Sequence, residues 1–170
     1  MVLKERLLVR PSKQEVLELV EEIINNPKMV KELVDCCFIH EKKVDQMAAW
    51  TLGHLAQRDG KLIQKHYPRI VTLLEKEIHP GVKRDILRIF EDVPVPKKIE
   101  GYLYDQCLGF IINTKLPIAV SAFGITVATK IAMNYPELKE ELLYVLQSME
   151  GYGSVAYTYR RGKSMKLLSK

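Results

Sequence analysis

The chain has 170 residues, of which 47% are hydrophobic and 28% are charged, and its formal net charge is +5. This length and apolar content are sufficient for one domain with a single buried core. The longest uncharged stretch, from Leu116 to Thr129, is shorter than the ~20 residues of a membrane-spanning helix, so no membrane span is expected.

The first ten residues include the charged side chains of Lys4, Glu5, Arg6 and Arg10. A secretory signal needs an apolar core in this region, so the sequence predicts a cytoplasmic protein. The three cysteines agree with this prediction. Their odd number forms no disulfide framework, and their spacing is not the C-x-x-C of zinc and redox sites.

Proline divides the sequence into helical segments. All eight prolines lie between stretches of helical periodicity, as expected for a residue that a helix tolerates only in its first turn. Ser12 and Glu15 form a capping-box pattern that opens the first segment. The sequence therefore predicts four helix pairs, at residues 12–39, 42–77, 80–113 and 117–150.

Apolar spacing favours helices over strands throughout. From Val82, apolar residues recur at offsets of three and four. The segment Ile118 to Val127 is rich in β-branched residues, but small residues recur in it at a spacing that allows helices to approach closely. We predict a helix here. Because this helix is apolar nearly all round, we expect a further element to cover it.

A valine or isoleucine opens a similar pattern at Val44, Val82, Ile118 and Val155, at steps of 38, 36 and 37 residues. A period of this length is typical of stacked helix pairs. We therefore predict a short α-solenoid that forms a single domain over residues 1–170.

The segment from Val44 to Ala56 has the pattern Val44, Ala48, Ala49, Leu52, Gly53, Leu55 and resembles the first-helix consensus of HEAT repeats. Residues 82–93 and 118–132 are looser matches. The resemblance implies an all-α, right-handed superhelix of about four helix pairs, whose second helices line a concave face. Proteins of this type are usually protein-binding scaffolds, less often nucleic-acid readers and, in a few branches, enzymes.

We therefore predict a non-enzymatic interaction module that binds another protein on this concave face and needs no cofactor. Helical phase places the candidate contacts on the second helices of three pairs. They are Arg69, Thr72 and Lys76 in the second pair, Lys98, Tyr102 and Asp105 in the third, and Glu137, Glu141 and Tyr144 in the fourth.

The net charge comes from the last twenty residues. Residues 1–150 carry 21 basic and 21 acidic side chains, whereas residues 151–170 carry five basic side chains and no acid. We interpret residues 151–170 as a basic C-terminal helix or tail that caps the solenoid. The alternative is nucleic-acid binding, because aromatic residues interleaved with cations can stack on bases and contact phosphates. The residues of that alternative are Tyr157, Tyr159, Arg160, Arg161, Lys163 and Lys166.

Residues for catalysis or metal binding are weakly indicated. The four histidines lie 12 to 14 residues apart, which is too far for two imidazoles on one helical face, so we predict no metal site and place them at the surface or its boundary. A HEAT-like DNA glycosylase could use Asp45, Asp85 or Asp105. Such an enzyme needs a strongly basic groove, and the body of this chain is neutral, so this function is the least favoured alternative.

Overall fold

The computed structural model describes residues 3–9 and 11–170, and only the backbone of Lys42. Helices cover 79% of the described residues, which contain no strand. The prediction of an all-α fold is confirmed. The right-handedness of the superhelix stays a prediction.

The observed helices follow the predicted pairs. The third and fourth pairs, for example, were expected at 80–113 and 117–150. The α-helices are α1 (Leu3–Leu8), α2 (Lys13–Asn25), α3 (Met29–Cys36), α4 (Lys42–Asp59), α5 (Tyr67–Val71), α6 (Pro80–Asp92), α7 (Lys97–Ile112), α8 (Ile118–Ala132), α9 (Pro136–Ser148) and α10 (Val155–Leu168).

Local sequence signals explain where these helices begin. The Ser12 hydroxyl accepts a hydrogen bond from the Glu15 amide at 3.3 Å, and the Glu15 carboxylate accepts one from the Ser12 amide at 2.7 Å. This reciprocal capping box opens α2, as predicted. Pro80 and Pro136 lie in the first turns of α6 and α9, where the missing amide donor costs no hydrogen bond.

The second helix of the second pair begins at Tyr67, beside Pro68, and is short. It consists of the short helix α5 between two 3₁₀ segments, Gly60–His66 and Thr72–Glu75. Pro68 lies in the first turn of α5, where its missing amide donor costs no hydrogen bond.

The described chain divides into two compact units, the first ending at Pro94 and the second beginning at Val95. In the first unit α4 is central and packs against α1, α2, α3 and α6. In the second unit α8 is central and packs against α7, α9 and α10. The apolar helix α8 is therefore covered on several sides, as predicted. The proposal that residues 1–170 form a single domain stays a prediction.

Small residues bring α4 and α6 close together. Ala48, Ala49 and Leu52 are fully buried on α4. A Cβ atom at Gly53 would lie 3.7 Å from the backbone oxygen of Asp85 on α6. The HEAT-like pattern of this segment thus corresponds to a tightly packed helix interface in the first unit.

The intact protein is expected to give a far-ultraviolet circular dichroism spectrum dominated by helix. Its helix content should lie far above the ~30 to 35% of an average globular domain. A helix-dominated spectrum measured in dilute salt would confirm this expectation. A substantial strand component in the same spectrum would contradict the fold.

Candidate functional site

The predicted contacts of the second pair are partly used within the first unit. Arg69 pairs with Asp35, and its guanidinium carbon lies 4.3 Å from the centre of the Phe38 ring. Hydrogen bonds from Lys31 and Arg69 lower the pKa of the Asp35 carboxyl. Arg69 therefore ties α5 to the end of α3 while its side chain remains half-exposed.

The other two residues predicted as contacts in this pair, Thr72 and Lys76, form local interactions. The Thr72 hydroxyl donates a hydrogen bond to the Arg69 carbonyl at 2.8 Å, and Lys76 lies 3.7 Å from the carboxylate of Glu75. Lys76 is exposed, whereas Thr72 is partly covered. The Lys76 ammonium is therefore open to solvent beside one weak surface ion pair.

In the second unit, the predicted contacts lie on two helices that pack against each other, α7 and α9. Lys98 and Asp105 are exposed on α7, and Tyr102 between them is partly buried. These three residues follow one another at helical spacings of four and three, so they share one face of α7.

The α9 residues have the same spacing and are more exposed. Glu137 and Glu141 are exposed, and Tyr144 has 74% of its surface accessible. Burial, followed by the Glu141 carboxylate, raises the pKa of the nearby Tyr104 hydroxyl, which donates to the Leu138 carbonyl at 3.2 Å. The face of α9 thus presents a large aromatic ring next to two carboxylates.

The basic C-terminal segment forms α10, and half of its predicted nucleic-acid contacts point into the second unit. Tyr157 is fully buried. Arg160 donates to the Thr126 hydroxyl at 2.7 Å and lies 4.6 Å from the centre of the Phe123 ring. Arg161 donates to the Leu146 carbonyl at 2.6 Å, near the C-terminus of α9.

The other half of the predicted set faces solvent. Tyr159 has 70% of its surface accessible, and Lys163 and Lys166 are exposed. The six residues therefore do not form one surface. Tyr157 is buried, and Arg160 and Arg161 are partly buried against α8 and α9, so their packing does not favour nucleic-acid binding by these three residues, which stays a prediction.

Because Arg161 contacts α9 and Lys163 faces solvent, substitutions of these two cations of α10 should change stability differently. Arg161→Gln is expected to lower the free energy of unfolding by about 1 to 3 kcal/mol, because it removes a charge-assisted hydrogen bond to the last turn of α9. Lys163→Gln is the matched control and should change it by less than about 0.5 kcal/mol. Urea denaturation measures both values. Equal effects of the two variants would contradict this assignment of Arg161.

A groove that the sequence analysis did not indicate lies between the first helices of three pairs, α2, α4 and α6. It has a volume of about 480 Å³ and belongs entirely to the first unit. Side chains from three helices line it. They are Lys13, Gln14, Leu17, Glu18 and Glu21 on α2, His54, Gln57 and Arg58 on α4, and Arg88 on α6.

His54 corrects the expectation that the histidines lie at the surface or its boundary. Only 8% of its surface is accessible, and its Nε2 atom has no hydrogen-bond partner among the described residues. Burial, Arg88 and Lys13 lower the pKa of the imidazole, while the charge of Asp85 and a hydrogen bond between the ring and the Gln57 side chain act in the opposite direction. The ring is therefore neutral at pH 7.

Several side chains around the groove contact one another, and one of these contacts is an ion pair. Arg58 pairs with Glu21, and the Glu18 carboxylate accepts a hydrogen bond from Gln14 at 3.0 Å. The Trp50 ring lies edge-on against His54, with ring centres 5.5 Å apart. The Trp50 ring therefore packs against the imidazole of His54.

The aspartates considered for base excision differ in exposure. Asp45 and Asp85 are buried on first helices, whereas Asp105 is exposed on α7. Arg84 donates two hydrogen bonds to Asp85, at 3.0 and 2.9 Å, and burial raises the pKa of Asp45. Both buried carboxylates therefore lie on first helices and not on the second helices that are predicted to contact a ligand.

The cysteines and the remaining histidines offer no reactive cluster. Burial raises the pKa of the Cys36 thiol to about 11, and it also raises those of Cys37 and Cys107. Over residues 3–9 and 11–170, no three metal-ligating side chains come together. His79 accepts a hydrogen bond from the Gly81 amide at 3.1 Å and so caps α6.

Comparison with known proteins gives one match. A family model described as a HEAT repeat domain matches residues 3–162. No curated protein and no solved structure gives a significant match. In the part of the chain that the structure describes, no helix is both long enough and apolar enough to cross a bilayer.

Proposed function

We propose that this chain, which belongs to the HEAT repeat domain family, is a non-enzymatic scaffold that binds another protein through its second helices. Helical repeats of this kind often serve protein interaction, and they present surfaces without requiring a cofactor. The candidate contacts are those described above on α5, α7 and α9.

The exposed face of α9 is the observation that supports this proposal most. Tyrosine is enriched at protein interfaces because its ring buries a large area while its hydroxyl can still form a hydrogen bond. Tyr144 is 74% exposed, whereas Tyr67, Phe90, Tyr104, Phe110 and Tyr157 are buried. Glu137 and Glu141 precede this ring on the same face of α9 and favour a partner with complementary basic residues.

The experiment uses the intact chain as bait in a native lysate and compares two exposed tyrosines. Tyr144→Ala, alone and with Glu141→Lys, tests the α9 face. Tyr159→Ala is the matched control, because its ring is 70% exposed on α10. A captured protein that uses α9 should bind Tyr144→Ala about 30-fold more weakly, as expected for an interface hot spot, and bind the control unchanged.

The opposite results have clear meanings. Loss of every captured protein with Tyr159→Ala but not with Tyr144→Ala would transfer the binding surface to α10. Capture that depends on neither tyrosine and not on Glu141 would contradict binding through α9.

Nucleic-acid binding is a second candidate function, now restricted to the outward face of α10. Tyr159, Lys163 and Lys166 are exposed there, and the two lysines form no ion pair among the described residues. An exposed ring beside cations is suited to single-stranded nucleic acid. Three such residues offer few phosphate contacts, so this function is less favoured than protein binding.

If α10 binds duplex DNA, Lys163→Gln combined with Lys166→Gln should weaken the binding and reduce its salt dependence. Each lost phosphate contact should reduce the magnitude of the negative slope of log affinity against log salt by about 0.9. Filter binding to single- and double-stranded oligonucleotides from ~50 mM salt upwards measures this effect. Absence of binding at the lowest salt would exclude this second candidate.

A further inference from the structure

Two neighbouring helices of the second unit present exposed faces of opposite charge. The helices α9 and α10 both pack against α8 and against each other, so their exposed faces lie side by side. Glu137 and Glu140 are exposed on α9, and Lys163 and Lys166 are exposed on α10. These four side chains form no ion pair among the described residues. Their charges are therefore available to a partner.

The exposed aromatic rings of these two helices lie at matching positions. Two helices that pack against each other across a short loop run antiparallel, and here α9 ends at Ser148 and α10 begins at Val155. Positions at equal distance from the loop therefore lie at the same height along the two helices. Tyr144 lies four residues before the end of α9, and Tyr159 lies four residues after the start of α10.

The charged residues match in the same way. Glu140 and Lys163 each lie eight residues from the loop end of their helix, and Glu137 and Lys166 each lie eleven residues from it. A second copy that is rotated by 180° about an axis parallel to these helices keeps all heights and places its α10 opposite α9. Carboxylates then face ammonium groups, and ring faces ring, in both halves of the interface.

We propose that a second copy of this chain is the partner of the α9 face, in a two-fold symmetric dimer in which α9 of each copy packs antiparallel on α10 of the other. In this dimer Tyr144 contacts Tyr159 of the second copy, and the complementary charges fix the register. The proposal rests on the proposed function, because it uses the α9 face for protein binding and names the partner that binds there.

An exposed glycine of α10 agrees with this arrangement. Gly162 lies seven residues after the start of α10, at the height of Glu141 on α9. A Cβ atom at Gly162 would have no neighbour within 4 Å, so no contact inside the chain requires glycine there. Glycine also weakens a helix relative to alanine. In the dimer, the missing side chain leaves room for Glu141 of the second copy.

The size of the two faces indicates a reversible dimer. A helix of 13 or 14 residues is about 20 Å long and about 10 Å wide, so two such faces cover roughly 400 Å² of each copy. This area is near the lower end for specific protein interfaces. We therefore expect a dissociation constant on the order of 10 to 100 µM.

Sedimentation equilibrium of the purified intact protein measures this association. The apparent mass should rise from 19.6 kDa towards twice this value as the protein concentration increases from ~5 to ~500 µM. Gly162→Leu should weaken the dimer about tenfold or more, because the added carbon atoms hold the two copies apart. Gly101→Leu is the matched control, since this exposed glycine of α7 also has no neighbour within 4 Å. Circular dichroism melting shows that both variants are folded.

Charge reversal tests the pairing between copies. One variant combines Glu137→Lys with Glu140→Lys, and the other combines Lys163→Glu with Lys166→Glu. Each variant alone should remain monomeric, because like charges would face each other in its dimer. An equimolar mixture should regain the dimer, because each reversed charge of one copy then faces an opposite charge of the other.

Four results would overturn the proposal. They are a wild-type protein that is monomeric at ~500 µM, a mixture of the two reversed variants that associates no better than either alone, association that continues beyond the dimer, and a monomer that binds single-stranded oligonucleotides through Lys163 and Lys166. A different protein captured on α9 would depend on Tyr144 alone, whereas the dimer depends on Tyr144 and Tyr159. Failure of the dimer is therefore distinguishable from failure of the proposed function.

Discussion

Replacement of Tyr157 by alanine is expected to lower the free energy of unfolding by about 3 to 5 kcal/mol, the range measured when a large buried aromatic side chain is removed. Tyr157 is fully buried where α10 packs against α8 and α9. Its ring meets Tyr152 edge-on, with centres 5.3 Å apart. The loss of the ring would leave a cavity between helices that cannot close without moving α10.

The backbone of the tight turn before α10 packs directly against the Tyr157 ring. Gly153 has a φ of +104°, and a Cβ atom there would lie 2.4 Å from the Tyr157 ring. The backbone thus approaches the ring so closely that only glycine fits. The turn and the ring form one packed unit, which explains why a substitution at Tyr157 should affect the whole second unit.

Two control variants distinguish the effect of losing the buried Tyr157 ring from the effect of losing its hydroxyl and from the effect of losing an exposed ring. The Tyr157 hydroxyl is buried and has no hydrogen-bond partner among the described residues. Tyr157→Phe should therefore be neutral or stabilising, because it removes an unsatisfied polar group. Tyr159→Ala, on the exposed face, should change the free energy of unfolding by less than about 0.5 kcal/mol.

Urea denaturation followed by circular dichroism gives these free energies. If Tyr157→Ala and Tyr159→Ala changed the midpoint equally, α10 would not be anchored by Tyr157. A strong loss with Tyr157→Phe would show instead that the hydroxyl has a partner in solution.

The helix pairs could be predicted because their signals are local. The capping box at Ser12 and Glu15 specifies the start of α2 through hydrogen bonds within four residues. Proline has a comparable effect at α6 and α9, since its missing amide donor excludes it from helix interiors. The helix α1 was not predicted because its six residues contain only one full turn of periodicity, and its burial of Leu3 and Leu7 depends on α3 and α4.

The functional surfaces could be predicted less well, because they depend on contacts between helices. Arg160 and Arg161 suggest a solvated basic surface in the sequence, but their long side chains reach groups on α8 and α9. Apolar stems allow arginine to lie against a core while its charged end finds an acceptor. Only the tertiary packing distinguishes these two arginines from the exposed Lys163.

The groove at His54 was missed for a related reason. On α4 the neighbouring positions Gly53 and Leu55 are buried, which places His54 near the covered side of the helix. This local pattern was a signal that the histidine is buried. The cations Lys13 and Arg88, however, lie 41 and 34 residues away in sequence, so no spacing rule would have joined them to it.

The substitution Ala49→Leu is expected to lower the free energy of unfolding by about 1 to 3 kcal/mol, because it inserts extra carbon atoms into a fully packed interface. Ala49 is fully buried, one helical turn before Gly53, and therefore lies on the face of α4 that approaches α6. The larger side chain would force the two helices apart or adopt a strained rotamer.

Two variants show whether size at this interface causes the effect. Gly53→Ala adds a Cβ atom in ordinary contact with the Asp85 carbonyl, so it should be neutral or stabilising by up to about 1 kcal/mol through helix propensity. Ala156→Leu makes the same change as Ala49→Leu at an exposed position of α10 and should leave the denaturation midpoint nearly unchanged. An unchanged midpoint for Ala49→Leu as well would show that this face of α4 does not pack against α6, and the HEAT-like register of the first unit would then be wrong.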